Sequence, residues 1–353
     1  MDTCLTNISS FLRYRTPPLV RDLAGGFPDI ASRAGKRALL QRPSIYGCID
    51  PPIHVLVFHP SELRNNRSVT THLWAHDLPP QALLDTEEGI FTASPLFTLL
   101  SLAPSLCVTH LTMAIYEFAG TFTVYRPAEV VHNHLQQLID LGMLPVIDGW
   151  KPSLTPDNKL TDLWQRPPLI TLNELRSFAA HIDGVRGSKK FRQAAKHVTG
   201  IASSPFEVQA TMLLGLPRRW GGMGIEPIRN NYPIAFTGKA RNIASRDRCY
   251  ADLYMESATS DRTVVVECQG DPFHTGESKS HEDDNRRLAL QSMGYTVVPL
   301  RYEQISDPLR FEGVASYISR ELGLDAKPKT SAFKRASQEL RHDLFIDWWT
   351  LGR

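Results

Sequence analysis

The chain predicts an α/β protein of more than one domain. Two features of the pattern and one of length carry that expectation. Runs such as Ile53-His-Val55-Leu-Val57 and Thr263-Val-Val-Val266 are β-branched and short, as strands are. Stretches of helical spacing lie between them, and 353 residues suffice for two or three separate cores. Apolar content of 42% and charged content of 22% are ordinary for a globular protein. A net charge of +2 excludes a global field that draws in polyanions, so any nucleic-acid surface has to be local. Five cysteines without a C-x-x-C pair give no zinc spacing and fit a reduced, cytoplasmic setting.

Residues 1–125 form the first expected domain. Met1–Arg15 lacks the continuous apolar core of a signal peptide, and the chain to about residue 50 reads as a lead-in. Pro51-Pro52 precede the Ile53–Phe58 strand, and Thr70–Trp74 looks like its partner. Ser94-Pro95 starts a helix, with Ser as N-cap and Pro at the first helical position. In the next helix Leu111, Ala114, Ile115 and Phe118 share a face, and Gly120 stops it. Gly89–Tyr116 contains no Asp, Glu, Lys or Arg, yet Pro95, Pro104 and His110 interrupt it. A buried helical hairpin is therefore expected, and no membrane partner. His54 and His59 read as structural.

Residues 126–200 read as a linker and a basic helical region. Arg126–Thr171 is rich in Pro and polar residues, with one apolar stretch from Leu135 to Val146. Thr171 and Glu174 have capping-box spacing. Beyond them come Lys189, Lys190, Arg192 and Lys196, within residues 151–200, the most basic block of the chain, with Lys189, Arg192 and Lys196 on one helical face. Such a face is either solvated or set against a phosphate backbone.

The third expected domain spans residues 201–323, and an amphipathic helix follows over 324–353 with Phe333, Leu340, Leu344 and Trp348 aligned. Ser204-Pro205-Phe206-Glu207 starts a helix in which Glu207 has the position of a capping-box glutamate. Short strands are expected near 225–228 and 232–236. Cys249–Met255 and Thr263–Gln269 alternate, so Glu267 and Gln269 share one face while Val264, Val266 and Cys268 share the other. A symmetric turn over 256–262 places Asp252 opposite Glu267. Two opposed carboxylates repel unless a cation lies between them. Mg²⁺ or Mn²⁺, held by hard oxygen ligands, is the simplest such cation.

Asp252 followed by Glu267-Cys268-Gln269 resembles the core motif of PD-(D/E)xK nucleases. The longer string Glu267-Cys-Gln-Gly-Asp-Pro-Phe-His274, with Asp283, Arg286, Leu290 and Gly294-Tyr295-Thr-Val297, resembles domains related to very short patch repair (Vsr) endonucleases over about 203–323. Over about residues 50–125 the strand pair and two helices resemble the C-terminal domain of AbiEi-type antitoxins. These resemblances imply an N-terminal α/β domain and a C-terminal restriction-endonuclease-like mixed sheet flanked by helices. They also imply a cytoplasmic, magnesium-dependent endonuclease acting on DNA.

The resemblance further implies roles for single residues. Asp252, Glu267 and the main-chain carbonyl of Cys268 would hold the metal, and Glu207 would approach it. Gln269 stands where the wider superfamily keeps Lys. It can orient water but carries no charge, so His274, whose ordinary pKa is near 6.5, is the expected base or phosphate donor. Arg286 either grips phosphate or pairs with Asp283 on its helix. The other function class is a catalytically weak or inactive nuclease fold acting as a DNA-binding regulator or antitoxin-like protein.

Overall fold

Residues 3–24, 27–30, 32–41, 49–86, 89–257, 260–269 and 277–353 are described by the computed structural model. They build an α/β protein whose three sheets are flanked by helices. The chain divides into two units, the first of residues 1–154, 158–198 and 349–353, the second of 155–157 and 199–348.

The first unit opens with β1 (Cys4–Leu5), α1 (Asn7–Arg15), α2 (Pro18–Ala24) and α3 (Arg33–Gln41). The β-branched run forms β2 (Ile53–Val57), and β3 (Val69–Leu73) pairs parallel to it with Val55 opposite Thr71. With β4 (Leu83–Asp85) and β5 (Phe91–Ala93) they make a five-stranded sheet in the order β3-β2-β1-β5-β4. His54 and His72 stack across β2 and β3, His72 Nε2 lying 2.8 Å from His54 Nδ1.

The uncharged stretch folds as two short helices, α4 (Pro95–Leu102) and α5 (Val108–Ala119). Ser94 and Pro95 take the expected N-cap and first helical positions. Leu111, Ala114, Ile115 and Phe118 are fully buried. No helix among the described residues is long and apolar enough to cross a membrane.

Residues 122–165, expected as a connector from Arg126 onward, instead build structure. β6 (Phe122–Val124), α6 (Glu129–Asp140), β7 (Lys151–Leu154) and β8 (Leu160–Gln165) form an antiparallel sheet with a helix beside it. Tyr125, Leu135, Ile139, Leu160 and Trp164 bury together with Val20. Most of the prolines fall between these elements, which is why the composition resembles a linker. α7 (Leu172–His181) follows, capped by the reciprocal Thr171–Glu174 box, and then α8 (Ser188–Ala195).

A salt bridge sits in the core of this unit. Arg15 Nε and Nη2 donate to the two Glu117 carboxylate oxygens at 2.8 and 2.6 Å, with both side chains fully buried. Thr123 Oγ1 donates to the same carboxylate at 2.6 Å, and Arg15 Nη1 donates to the Trp349 carbonyl. Residues 349–353 thus return to the first unit. Trp349 meets Tyr125, Gly352 lies against Ile8 and Phe11, and Arg353 pairs with Asp50.

The second unit begins with α9 (Pro205–Gly215), whose N-cap Ser204 accepts from the Glu207 N–H at 3.2 Å. The two short strands expected around 225–236 are one strand, β9 (Ile228–Ala235). After α10 (Gly238–Ala244) come β10 (Arg248–Glu256), β11 (Thr263–Gln269), α11 (Glu277–Ser292) and β12 (Thr296–Arg301). The sheet order is β12-β11-β10-β9, antiparallel except where α11 returns the chain to lay β12 parallel to β11. Pro299 cannot donate to a ladder and sits on β12, an edge strand. α12 (Tyr302–Ser306), α13 (Pro308–Glu321) and α14 (Ser331–Leu344) complete the unit. α14 buries Phe333, Leu340 and Leu344, and Gln209 Nε2 caps its Leu344 carbonyl at 2.9 Å.

This sheet changes face halfway along. Ile228 and Asn230 on β9 meet α9, through Gly215 and Thr211. Ile234 and Phe236, of the same parity, join Ala289 and Leu290 of α11 in one cluster. On β10, Cys249 and Ala251 belong to that cluster, and so does Tyr254, of the opposite parity. Between the two halves Asn231 has φ +50°, the left-handed backbone that Asn adopts more readily than most residues. The reversal falls at Asn231 and Asp252.

Candidate functional site

The β10–β11 ladder runs Leu253 to Val266, Tyr254 to Val265, Met255 to Val264 and Glu256 to Thr263. One further step in that register places Asp252 opposite Glu267, as the symmetric turn requires. Because the sheet reverses there, the two carboxylates have different surroundings. Asp252 is partly exposed, and its Oδ2 accepts the Cys268 N–H at 2.7 Å. Its backbone is fixed from behind, where Asn230 Nδ2 donates to the Asp252 carbonyl at 3.3 Å and to Thr211 Oγ1 at 2.7 Å. Thr199 Oγ1 in turn donates to Asn230 Oδ1.

Glu267 is buried, with 8% of its side chain exposed, and its Oε2 contacts Arg286 Nη2 on α11. Neither Glu267 oxygen receives a well-directed hydrogen bond among the described residues. Arg286 also approaches Asp283 at 3.6 Å, which agrees with the second of its two sequence readings, the pair on the helix surface. Glu207, on the first turn of α9, accepts from the Ser203 N–H at 2.8 Å and from the hydroxyls of Ser203 and Ser204. It therefore fills a local capping role and still faces the other acids.

Electrostatically these groups form one cluster. Burial raises the Asp252 carboxyl well above the usual range, and Glu207 and Glu267 push it further, against the Cys268 N–H and Arg286. Glu207 is raised by burial despite its serine donors. Glu267 is raised by burial too, with Arg286 opposing and Asp283 adding to the rise. The Cys268 thiol is pushed well up by burial and then by Asp252, Glu207 and Glu267. Cys268 as a residue is only partly covered, so it is the sulfur that lies inside, against the acids. Three carboxyls with one arginine among them have a standing need for protons or for a cation.

The donor set suits a hard divalent cation, being carboxylate and carbonyl oxygen. The under-satisfied Glu267 oxygens are the observation that points to one. As arranged, Glu207, Asp252 and Glu267 do not bring one oxygen each to within 4.8 Å of one another. Joint coordination by these three groups requires their carboxylates to move closer together.

Gln269 ends β11, partly exposed, opposite Arg301 of β12. His274 lies outside the described residues. The basic block is placed elsewhere, on α8 and its end in the first unit. There Lys190 Nζ donates to the Pro104 and Leu106 carbonyls, and Arg192 pairs with Asp183 at 3.3 Å. Lys189 and Lys196 are exposed. Two of the four residues of this block, Lys190 and Arg192, thus hold their own unit together. Sequence reasoning missed Asn230 and Ser203, whose roles arise from distant strands and from a residue ahead of the N-cap. Ser203 beside Ser204 was the only local hint.

Comparison with models of protein families, with curated proteins and with solved structures finds no match.

Proposed function

We propose that the second unit is a metal-dependent phosphodiesterase acting on DNA, with its centre at Asp252, Glu267 and Glu207. The single observation that carries this reading is the cluster of largely covered acids whose carboxyls are all pushed up and in which, among the described residues, no well-directed donor reaches the Glu267 oxygens. The mixed sheet, with β12 returned parallel to β11 by α11, supports it as well.

Asp252, Glu267 and the Cys268 carbonyl would hold Mg²⁺ or Mn²⁺. Such an ion polarises phosphate oxygens and makes a nearby water more acidic. The chain's own residues do the rest. The Cys268 N–H and Asn230 fix Asp252 in place, and the serine donors hold Glu207 where it can accept a proton. Arg286, once released by Glu267, is free to bind phosphate, and Gln269 orients water from the end of β11.

Nicking of supercoiled plasmid tests this directly. Wild-type chain should cut with Mg²⁺ or Mn²⁺ and not with EDTA, and Asp252→Ala or Glu267→Ala should abolish cutting. One observation favours a second reading. Arg286 already neutralises Glu267, as it would in a nuclease fold that only binds DNA. If wild type and both variants bind DNA equally and none cuts, that regulator-like reading replaces the first.

A further inference from the structure

The acidic cluster lies at one end of the second unit's sheet, and topology decides what stands around it. β10 runs antiparallel to β11, and β12 runs parallel to β11. The start of β10, the end of β11 and the end of β12 therefore share that end. On β10, Cys249 and Ala251 face the α11 cluster, so Arg248 and Tyr250, which precede the reversal at Asp252, alternate onto the opposite face. Arg248 is exposed and Tyr250 is 48% exposed. Their cross-strand partners on β9 are Ala235 and Pro233, too short to cover them. On the other flank Arg301, of the same parity as Val297 of that cluster and so on its side of the sheet, is exposed beside Gln269, and the next residue, Tyr302, is 49% exposed. Tyr302 is steadied edge-on by Phe206 and Phe345 at 6.0 and 6.2 Å.

Each flank of the acids thus carries one arginine and one open tyrosine. Neither Arg248 nor Arg301 has an ion-pair partner among the described residues. Arg241, Arg246, Arg286 and Arg287, by contrast, are each neutralised by a neighbouring acid. Two strand spacings, about 10 Å, separate the β10 and β12 backbones, and the way from one flank to the other passes over the end of the sheet. Cations alternating with aromatic faces across a short span are what an unpaired nucleic-acid strand requires. Its phosphates meet the guanidinium groups and its bases stack on the rings, which a duplex keeps covered by their neighbours.

We infer that an unpaired nucleic-acid strand crosses this end of the sheet, from Arg248 and Tyr250 over Asp252 to Arg301 and Tyr302. This deepens the proposed function and rests on it, because it makes single-stranded nucleic acid the substrate class of that site.

Binding of a short fluorescein-labelled single strand and of its duplex to the full chain in EDTA, read by anisotropy, tests the path apart from the chemistry. Wild type should prefer the single strand. Arg248→Glu and Arg301→Glu should each weaken it about tenfold and flatten its salt dependence by roughly one phosphate. Tyr250→Ala should weaken it on the order of tenfold. Tyr250→Ala serves here in preference to a change at Tyr302, whose ring is packed. Equal affinity for duplex, no binding by wild type, or charge reversals that bind as wild type does would each overturn the path. Cleavage measured in parallel with Mn²⁺ separates the two proposals. Cutting that is indifferent to Arg248 and Arg301 leaves hydrolysis standing without the path. Arginine-dependent binding without cutting keeps the path and removes hydrolysis.

Discussion

Each unit buries acids, and it treats them in opposite ways. In the first, Glu117 receives two bonds from Arg15 and one from Thr123, in an interior that solvent does not reach. In the second, Glu207, Asp252 and Glu267 crowd one another, only Glu267 has an arginine, and that contact supplies no well-directed hydrogen bond. A buried charge with complete partners is framework. Acids crowded against one another, on the proposed reading, await a ligand.

The largest effect should come from the satisfied pair. Glu117→Gln removes the counter-charge and strands Arg15 in a dry core. It should lower the stability of the first unit by about 3–5 kcal/mol in urea titration. Asp252→Asn should do the reverse. Stability should stay within about 1 kcal/mol of wild type, or rise, since a group under like-charge repulsion has been neutralised. Metal-dependent nicking should meanwhile fall at least about a hundredfold. If Asp252→Asn unfolds the second unit as Glu117→Gln unfolds the first, the contrast between the two regions is lost.

The units should also answer pH in opposite senses. The carboxyls of Glu207, Asp252 and Glu267 are raised on folding. Their contribution is full below the unfolded carboxylate range and is lost as pH climbs through the raised values. In the first unit, burial and His72 hold His54 down to about 4 from 6.5. It must therefore stay neutral, and its contribution is present above 6.5 and lost as pH falls towards 4. Partial exposure limits this to on the order of 1 kcal/mol. Hydrogen exchange resolved by segment should show 203–269 loosening with rising pH and 53–73 with falling pH. His54→Phe should flatten the second trend, and Mn²⁺ should suppress the first. The smallest effect is expected from Gln269→Lys, which should leave nicking unchanged or raise it. A large loss would assign Gln269 a hydrogen-bonding task of its own.

Much of the second unit was legible because the relevant signals are local. Alternation and a symmetric turn gave the β10–β11 register, Ser204-Pro205 gave α9, and Pro299 marked an edge strand. The reversal of the sheet at Asn231 was not legible, because an asparagine inside a strand pattern does not by itself announce a positive φ. Hence the sequence brings Asp252 and Glu267 face to face, whereas the structure gives each different company. The Arg15–Glu117 pair joins residues far apart in the chain, beyond the reach of any spacing rule. Lys190 and Arg192 look like a polyanion surface until the carbonyls that occupy them are known. The 126–171 stretch failed as a linker because its Trp, Leu and Ile are sparse in sequence and become a cluster only when three strands meet.

The return of residues 349–353 to the first unit has a consequence for how the protein is made. A ribosome delivers residues 1–198 long before Trp349, so Arg15 and Tyr125 wait for contacts that arrive only after the whole second unit has been synthesised. Trimming a handful of residues after Trp348 should accordingly weaken the half of the molecule that was translated first.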